Sequence, residues 1–282
     1  MSARVSVVLG AGRGIGAATA ERLARRGDAV VLVDRAGDDR RLSYSMASTS
    51  DLERAQAATR RAAAAAGAGG DGDGDGDGDG DDRVIALRAD VTDPAALSSA
   101  LETAEARFGG IDAIVVTAGV IAGGVPLWEM PHAELRAVIE VDLEAVITAA
   151  RLGIPALLRR PAPRNGRFIA VASTAASRGL PMLAAYCAAK AGVVGLTRAL
   201  AAELRGTGIT ANTVSPGSTD TAILEQSARL YDLPSAAAFA AQQPIERLIR
   251  PEEVAAVIAH LAGPDSGAIT GADHAVDGGL AI

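Results

Sequence analysis

The stretch "VSVVLGAGRGIGAATAERLA", residues 5–24, decides the fold. A short β-branched apolar run reads as a strand, the glycines at 10, 14 and 16 as a turn, and the Ala-rich run after them as a helix. Glycines let backbone N–H groups approach an anion, and a helix N-terminus favours negative charge, so this order of elements can seat a diphosphate. The spacing is GxxxGxG, where the more familiar dinucleotide turn is GxGxxG. Taken alone, the same residues fit a tight turn that holds nothing.

The pattern recurs along the chain. "AVVLVD" (29–34), "VIALRAD" (84–90), "IDAIVVTAG" (111–119), "RFIAVAS" (167–173), "ITANTVSPG" (209–217) and "HAVDGG" (274–279) read as strands, each separated from the next by a helical pattern. Short apolar strands joined by helices predict an α/β fold, a doubly wound parallel sheet with helices on both faces, in one domain spanning 1–282. A helix is expected over 50–66, opened by a Ser50–Glu53 capping box, and one long helix over 132–160. Apolar residues make up 49% of the 282, enough for a sizeable core, but aromatics only 2%, so that core is built from Ala, Val, Leu and Ile.

Between the second helix and third strand lies "GAGGDGDGDGDGDGDD", residues 67–82. Asp71, Asp73, Asp75, Gly76 and Asp82 fall on a calcium-loop spacing, but an Asp-Gly alternation does so in several registers, and a strand follows where an EF-hand needs a helix. We read the run as a flexible, hydrated surface connection. Its seven aspartates account for the whole net charge of −7, which leaves a near-neutral body with no electrostatic footprint for nucleic acid or an anionic membrane. No apolar run approaches the roughly 20 residues of a membrane helix, and no signal peptide is evident. With one cysteine, Cys187, no internal disulfide forms, which fits a reducing cytoplasm. The three histidines are scattered, so no metal site is expected.

Asp34 ends the second strand, 18 residues after Gly16. A carboxylate there accepts hydrogen bonds from ribose hydroxyls and repels a 2′-phosphate, favouring NAD over NADP; Arg35 beside it keeps the second cofactor open. Of 27 basic side chains, only Lys190 is a lysine, and it follows Tyr186 by four residues in "YCAAK". On a helix that spacing puts both on one face, where an ammonium favours the phenolate and draws tyrosine toward acid–base duty near neutrality. Ser173, 13 residues before Tyr186, ends a strand and can donate to a carbonyl or alkoxide oxygen.

At these residues the chain resembles the short-chain dehydrogenase/reductase family, nearly end to end. The resemblance implies NAD held by Gly10, Arg13, Gly14, Ile15 and Gly16 of the glycine motif, by Asp34 and Arg35, and by Asp90 and Val91 at the adenine. Further cofactor contacts are implied for Ala118 and Gly119, and for Pro216, Gly217, Thr219 and Thr221 in "VSPGSTDT". It implies Ser173, Tyr186 and Lys190 as catalytic residues, Lys190 also binding the nicotinamide ribose, and a homotetramer assembled through the helices near 132–159 and 183–205. Two positions depart from the family pattern. Val116 and Thr117 replace paired asparagines, and Asp142 stands where an asparagine usually holds a relay water, adding negative charge near Lys190.

The long segment "RAGDDRRLSYSMASTSDLERA" after Asp34, with "VIAGGVPLWEMP" and "RRPAPRNGRFIAVAS", is similar to the mycofactocin-dependent branch. That resemblance implies tightly bound NAD, residues 36–49 closing over its adenosine half, and mycofactocin as the external electron acceptor. Trp128, Met130 and the segment Ile223–Arg250 are candidates for a hydrophobic alcohol or ketone pocket and its lid. Conventional exchange of free NAD(H), and a non-catalytic NAD sensor, remain the alternatives.

Overall fold

The computed structural model describes residues 3–67 and 80–282. Seven parallel strands form one sheet: β1 (Val5–Leu9), β2 (Ala29–Asp34), β3 (Val84–Arg88), β4 (Ala113–Val116), β5 (Arg167–Val171), β6 (Thr210–Pro216) and β7 (Asp273–Val276). Their order is β3-β2-β1-β4-β5-β6-β7. The chain therefore reverses direction across the sheet between β1 and β4, and such a switch point opens a crevice at the strands' carboxyl ends.

Side-chain alternation divides the core in two. Val7, Leu9, Val31, Val33, Ile114, Val116 and Phe168 face α3 (Pro94–Phe108), α5 (Ala145–Leu158) and α6 (Ala184–Glu203). Val8, Val30, Leu32, Val115 and Ile169 face α1 (Gly14–Arg25), α2 (Thr49–Gly67) and α8 (Pro251–Leu261). Phe168 is the one aromatic among the largest fully buried side chains, so small aliphatics fill both layers.

Local signals explain the helix ends. Asp93 Oδ1 accepts from Ala95 N at 2.9 Å and Ala96 N at 3.3 Å, Pro94 opens α3, and Gly109 closes it at φ +77°. For α2 the capping pair lies two residues upstream of Ser50–Glu53. Ser48 N donates to Asp51 Oδ2 at 2.8 Å, and Asp51 N to Ser48 Oγ at 3.2 Å. Both pairs satisfy the spacing; Ser48 is taken because the helix starts at Thr49.

The expected single helix over 132–160 is interrupted. α4 (His132–Ile139) passes through a π turn, Glu140–Glu144, before continuing as α5. Such a turn inserts a residue into the ladder and re-aims the side chains beyond it; this one carries Asp142. Of the Asp-Gly run, residues 68–79 lie outside the described residues, as do Asp71, Asp73, Asp75 and Gly76 of the calcium spacing. Asp82 pairs with Arg107 at 2.7 Å beside a 3₁₀ turn at Gly80–Arg83 that leads into β3. No described helix is long and apolar enough to cross a membrane. Among the described residues no group of three or more His, Cys, Asp or Glu could hold a metal ion.

Candidate active site

Two cavities open at the carboxyl ends of the strands, and Ile15, Thr117, Gly119, Thr221 and Ile223 line both, so they form one continuous cleft. The first, about 520 Å³, is lined by Gly10, Arg13, Gly14, Ile15, Gly16, Asp34, Arg35, Asp90, Val91, Ala118 and Gly119. Gly10 and Gly14 adopt φ of +90° and +57°. A Cβ at Gly16 would lie 2.1 Å from Gly10 O, and one at Gly12 would lie 2.9 Å from Asp34 Oδ2. The turn thus admits only glycine where backbones cross, and the cradle fits a phosphate-bearing cofactor. Gly12 belongs to the same run but lies outside the GxxxGxG spacing; its close approach to Asp34 appears only in three dimensions.

Asp34 Oδ2 accepts from Gly12 N at 2.8 Å and Oδ1 from Ala36 N at 2.9 Å, which fixes the carboxylate at the cleft. Arg35 is engaged elsewhere. It pairs with Asp39 at 3.3 Å and Asp90 at 3.6 Å and also donates to Asp38 O. Thr117, in place of an asparagine, donates to Leu9 O at 2.9 Å and lies 3.1 Å from Gly10 O, tying β4 to the glycine turn.

The second cavity, about 580 Å³, is lined by Ser173, Tyr186, Lys190, Pro216, Gly217, Thr219 and Thr221. Its outer wall is apolar: Ile121, Leu180, Leu183, Ile223, Tyr231 and Phe239. Ser173 caps the turn after β5, its Oγ accepting from Ala175 N at 3.1 Å, and its hydroxyl favours the phenolate of Tyr186. Tyr186 and Lys190 share one face of α6, with Nζ 5.6 Å from the ring centre. Lys190 Nζ donates to Val171 O at 3.2 Å and meets Asp142 Oδ1 at 3.0 Å.

Asp142 lines neither cavity. It is wholly buried behind Lys190, Oδ1 also accepts from Val120 N at 3.2 Å, and Oδ2 has no partner among the described residues. Gly119 makes room for it, since a Cβ there would sit 2.9 Å from Oδ1. Burial pushes the Asp142 carboxyl up, against Lys190. Burial also opposes the Lys190 charge, but Asp142 and Tyr186 outweigh it and the net direction is up. Contact at 3.0 Å favours the charged form of each partner against the burial that opposes both charges. For Tyr186 the sequence expectation is reversed. Burial raises the phenol, Lys190 lowers it, Asp142 raises it again, and the net direction is up. The carboxylate behind Lys190 thus works against what the ammonium offers the phenolate.

Of residues 36–49, Gly37, Met46 and Ala47 line the first cavity, and the segment forms a strap tied to several parts of the cleft's surroundings. Arg41 pairs with Glu140, Arg13 donates to Ser45 O at 2.9 Å, and Gln226 Nε2 reaches Ser43 Oγ at 3.5 Å. Buried Tyr44 accepts from Ile121 N at 2.9 Å and packs with Leu183 near Tyr186, so the strap extends beyond the Asp34 end to the Tyr186 end of the cleft. Sequence patterns gave no sign of that reach, because it depends on a single side chain. Trp128 and Met130 line neither cavity; Trp128 is 84% exposed on a 3₁₀ turn. Of Ile223–Arg250, seven residues from Ile223 to Gln242 line the second cavity, chiefly from α7 (Ala222–Leu230) and the turns after it.

A family model described as enoyl-(acyl carrier protein) reductase matches residues 77–281. A cis-4-hydroxycyclohexanecarboxylate dehydrogenase of Sinomonas cyclohexanicum is 38% identical over 98% of this chain and 96% of its own. A 2-dehydro-3-deoxy-L-rhamnonate dehydrogenase (NAD(+)) of Sphingomonas is 30% identical over 98% and 94%. Among solved structures, a carveol dehydrogenase from Mycobacterium avium in complex with NAD superposes with a TM-score of 0.87 and 26% identity, covering 99% of this chain and 98% of its own.

Proposed function

The chain belongs to the short-chain dehydrogenase/reductase family, and from that membership we propose that it is an NAD-dependent alcohol dehydrogenase of the cytoplasm. Its substrate is a hydrophobic, cyclic secondary alcohol interconverted with its ketone. The observation that carries the reading is the convergence of Ser173, Tyr186 and Lys190 on one wall of an apolar cavity that runs into a glycine-lined cradle. The relatives' names, a hydroxycyclohexane acid dehydrogenase and a carveol dehydrogenase, support a cyclic alcohol.

Bound along the cleft, NAD would place its diphosphate at Gly10–Gly16 and its adenosine ribose at Asp34, and its nicotinamide would supply the hydride acceptor. Arg35, occupied by Asp39 and Asp90, is poorly placed to welcome a 2′-phosphate, which supports NAD over NADP. Ser173 donates to the substrate oxygen and orients it. Tyr186, as phenolate, takes the hydroxyl proton as the hydride leaves carbon, and in reverse returns it to the alkoxide. Lys190 holds positive charge beside Tyr186 and would bind the ribose of a bound cofactor. Asp142 positions Lys190 from behind.

The strap over residues 36–49 favours captive NAD, reoxidised by an external acceptor of the mycofactocin type. It is fastened to Arg13, Ile121, Glu140 and Gln226, and a cofactor beneath it leaves only when those ties break. A second reading, free exchange of NAD(H), draws on the Sphingomonas relative, whose name gives NAD(+). In either case the working form is proposed as a homotetramer. The test is to purify the protein without added cofactor, release nucleotide with acid and identify it, then follow reduced-nicotinamide absorbance with a panel of cyclic alcohols. Stoichiometric NAD that is reduced once and then stalls despite added NAD supports the captive form. Sustained turnover with added NAD supports exchange, and bound NAD with no reduction by any alcohol supports a sensor.

A further inference from the structure

The catalytic cavity holds one charge that the proposed reaction does not use. Its lining contains no aspartate or glutamate and two cations, Lys190 and Arg178. Lys190 is committed to Asp142. Arg178, five residues after Ser173, has no carboxylate within 4.0 Å among the described residues, the chain's own C-terminus included.

Its guanidinium is nevertheless held in place. Nη1 donates to Leu280 O at 2.5 Å, and Leu280 lines the same cavity. The backbone is fixed as well, with Arg178 N donating to Thr174 O at 2.9 Å and Arg178 O facing Cys187 Sγ at 3.9 Å. One of the five guanidinium N–H groups is thereby used and the rest are open, in the fork that matches a carboxylate. Nearby polar groups on the wall are turned inward: Ser227 donates to Ile223 O at 2.9 Å and Tyr231 to Pro181 O at 2.8 Å. Apart from the Ser173–Tyr186 end, the strongest donor offered to a ligand is Arg178.

We infer that Arg178 is a specificity residue that receives a carboxylate, so that the preferred substrate is a hydroxy acid: a secondary alcohol at Ser173 and Tyr186 with an anionic group that meets Arg178 in the same apolar cavity. This rests on the dehydrogenase reading above and narrows its substrate class. Arg178 is exposed, so solvent screens the contact and the expected preference is about twofold to fivefold.

The test compares 4-hydroxycyclohexanecarboxylate with its methyl ester as substrates of the purified protein and of Arg178→Gln. Wild type is expected to favour the acid by about twofold to fivefold in kcat/KM. The variant is expected to lose that preference through a raised KM for the acid, with ester turnover unchanged. An ester used as well as the acid by wild type, or acid and ester impaired equally in the variant, overturns the inference while leaving a dehydrogenase. If neither is oxidised, calorimetric binding of cyclohexanecarboxylate decides: binding by wild type and not by the variant supports the carboxylate site, and no difference between them refutes it.

Discussion

Asp142→Asn separates the charge of the buried carboxylate from its shape. Asp142 Oδ1 lies 3.0 Å from Lys190 Nζ, and Nζ lies 5.6 Å from the Tyr186 ring centre, so the carboxylate is no more than about 9 Å from the ring. At that separation and an effective dielectric of about 20, two unit charges couple by roughly 2 kcal/mol, a little over one pKa unit. The direction follows from chemistry: a negative charge opposes the phenolate, and Asp142 is among the influences holding Tyr186 up. Removing it lowers the phenol's pKa. Alcohol oxidation that depends on the phenolate should therefore keep its pH profile but move it about one unit toward acid, kcat/KM rising at lower pH than in wild type.

A structural cost accompanies the shift. Asparagine keeps an acceptor for Lys190 and Val120 N but places an amide N–H where Oδ2 has no partner. An unsatisfied buried donor costs about 1–3 kcal/mol, roughly 3–10 °C in melting temperature for a chain of this size. The assay is the pH dependence of kcat/KM from pH 6 to 10 (the approximate range spanning a perturbed phenol), read beside thermal melts of both proteins. An unmoved profile in a folded variant would refute the coupling and leave Asp142 a packing residue only. A profile displaced toward alkali would refute the sign.

Tyr186→Phe should lower turnover by a factor of about 10² or more while nucleotide content after purification stays at the wild-type level; ordinary turnover would remove Tyr186 from the reaction. Gly16→Ala, which forces a Cβ within 2.1 Å of Gly10 O, should lose bound nucleotide and lower the melting temperature, both read on the purified protein. Tyr44→Phe removes the acceptor from Ile121 N and should speed exchange of bound nucleotide with labelled NAD; an unchanged rate would detach the strap from cofactor retention. Glu253 is held down to about 2 by Arg247 and the Arg250 N–H at the start of α8. Because its folded value lies below the ordinary carboxylate value, the stabilisation is present above about 4.5 and is lost as pH falls toward 2. Glu253→Gln should therefore melt below wild type at pH 7 and converge with it near pH 2 (about the folded value).

How much of this was legible in residues alone follows from what each feature depends on. The sheet was readable because a buried parallel strand must be apolar on both faces, and "VSVVL", "AVVLVD" and "RFIAV" admit little else. The glycine turn was readable because the backbone crossing at Gly10 and Gly16 excludes any side chain. Tyr186 and Lys190 were readable because four residues on a helix give one face. Their energetics were not: the Tyr–Lys spacing predicts a phenol drawn down toward neutrality, but whether the ammonium prevails depends on what stands behind it. That is decided by a π turn over Glu140–Glu144 that aims Asp142 at Nζ, and no hydrophobic period distinguishes a π turn from one more turn of α-helix. The substrate end was least legible. Trp128 is a candidate for the hydrophobic pocket by its apolar character, yet it is 84% exposed, whereas Arg178 is one arginine among 26. What distinguishes it is its place on the wall of the second cavity with no carboxylate beside it among the described residues, and a place in space leaves no trace in sequence.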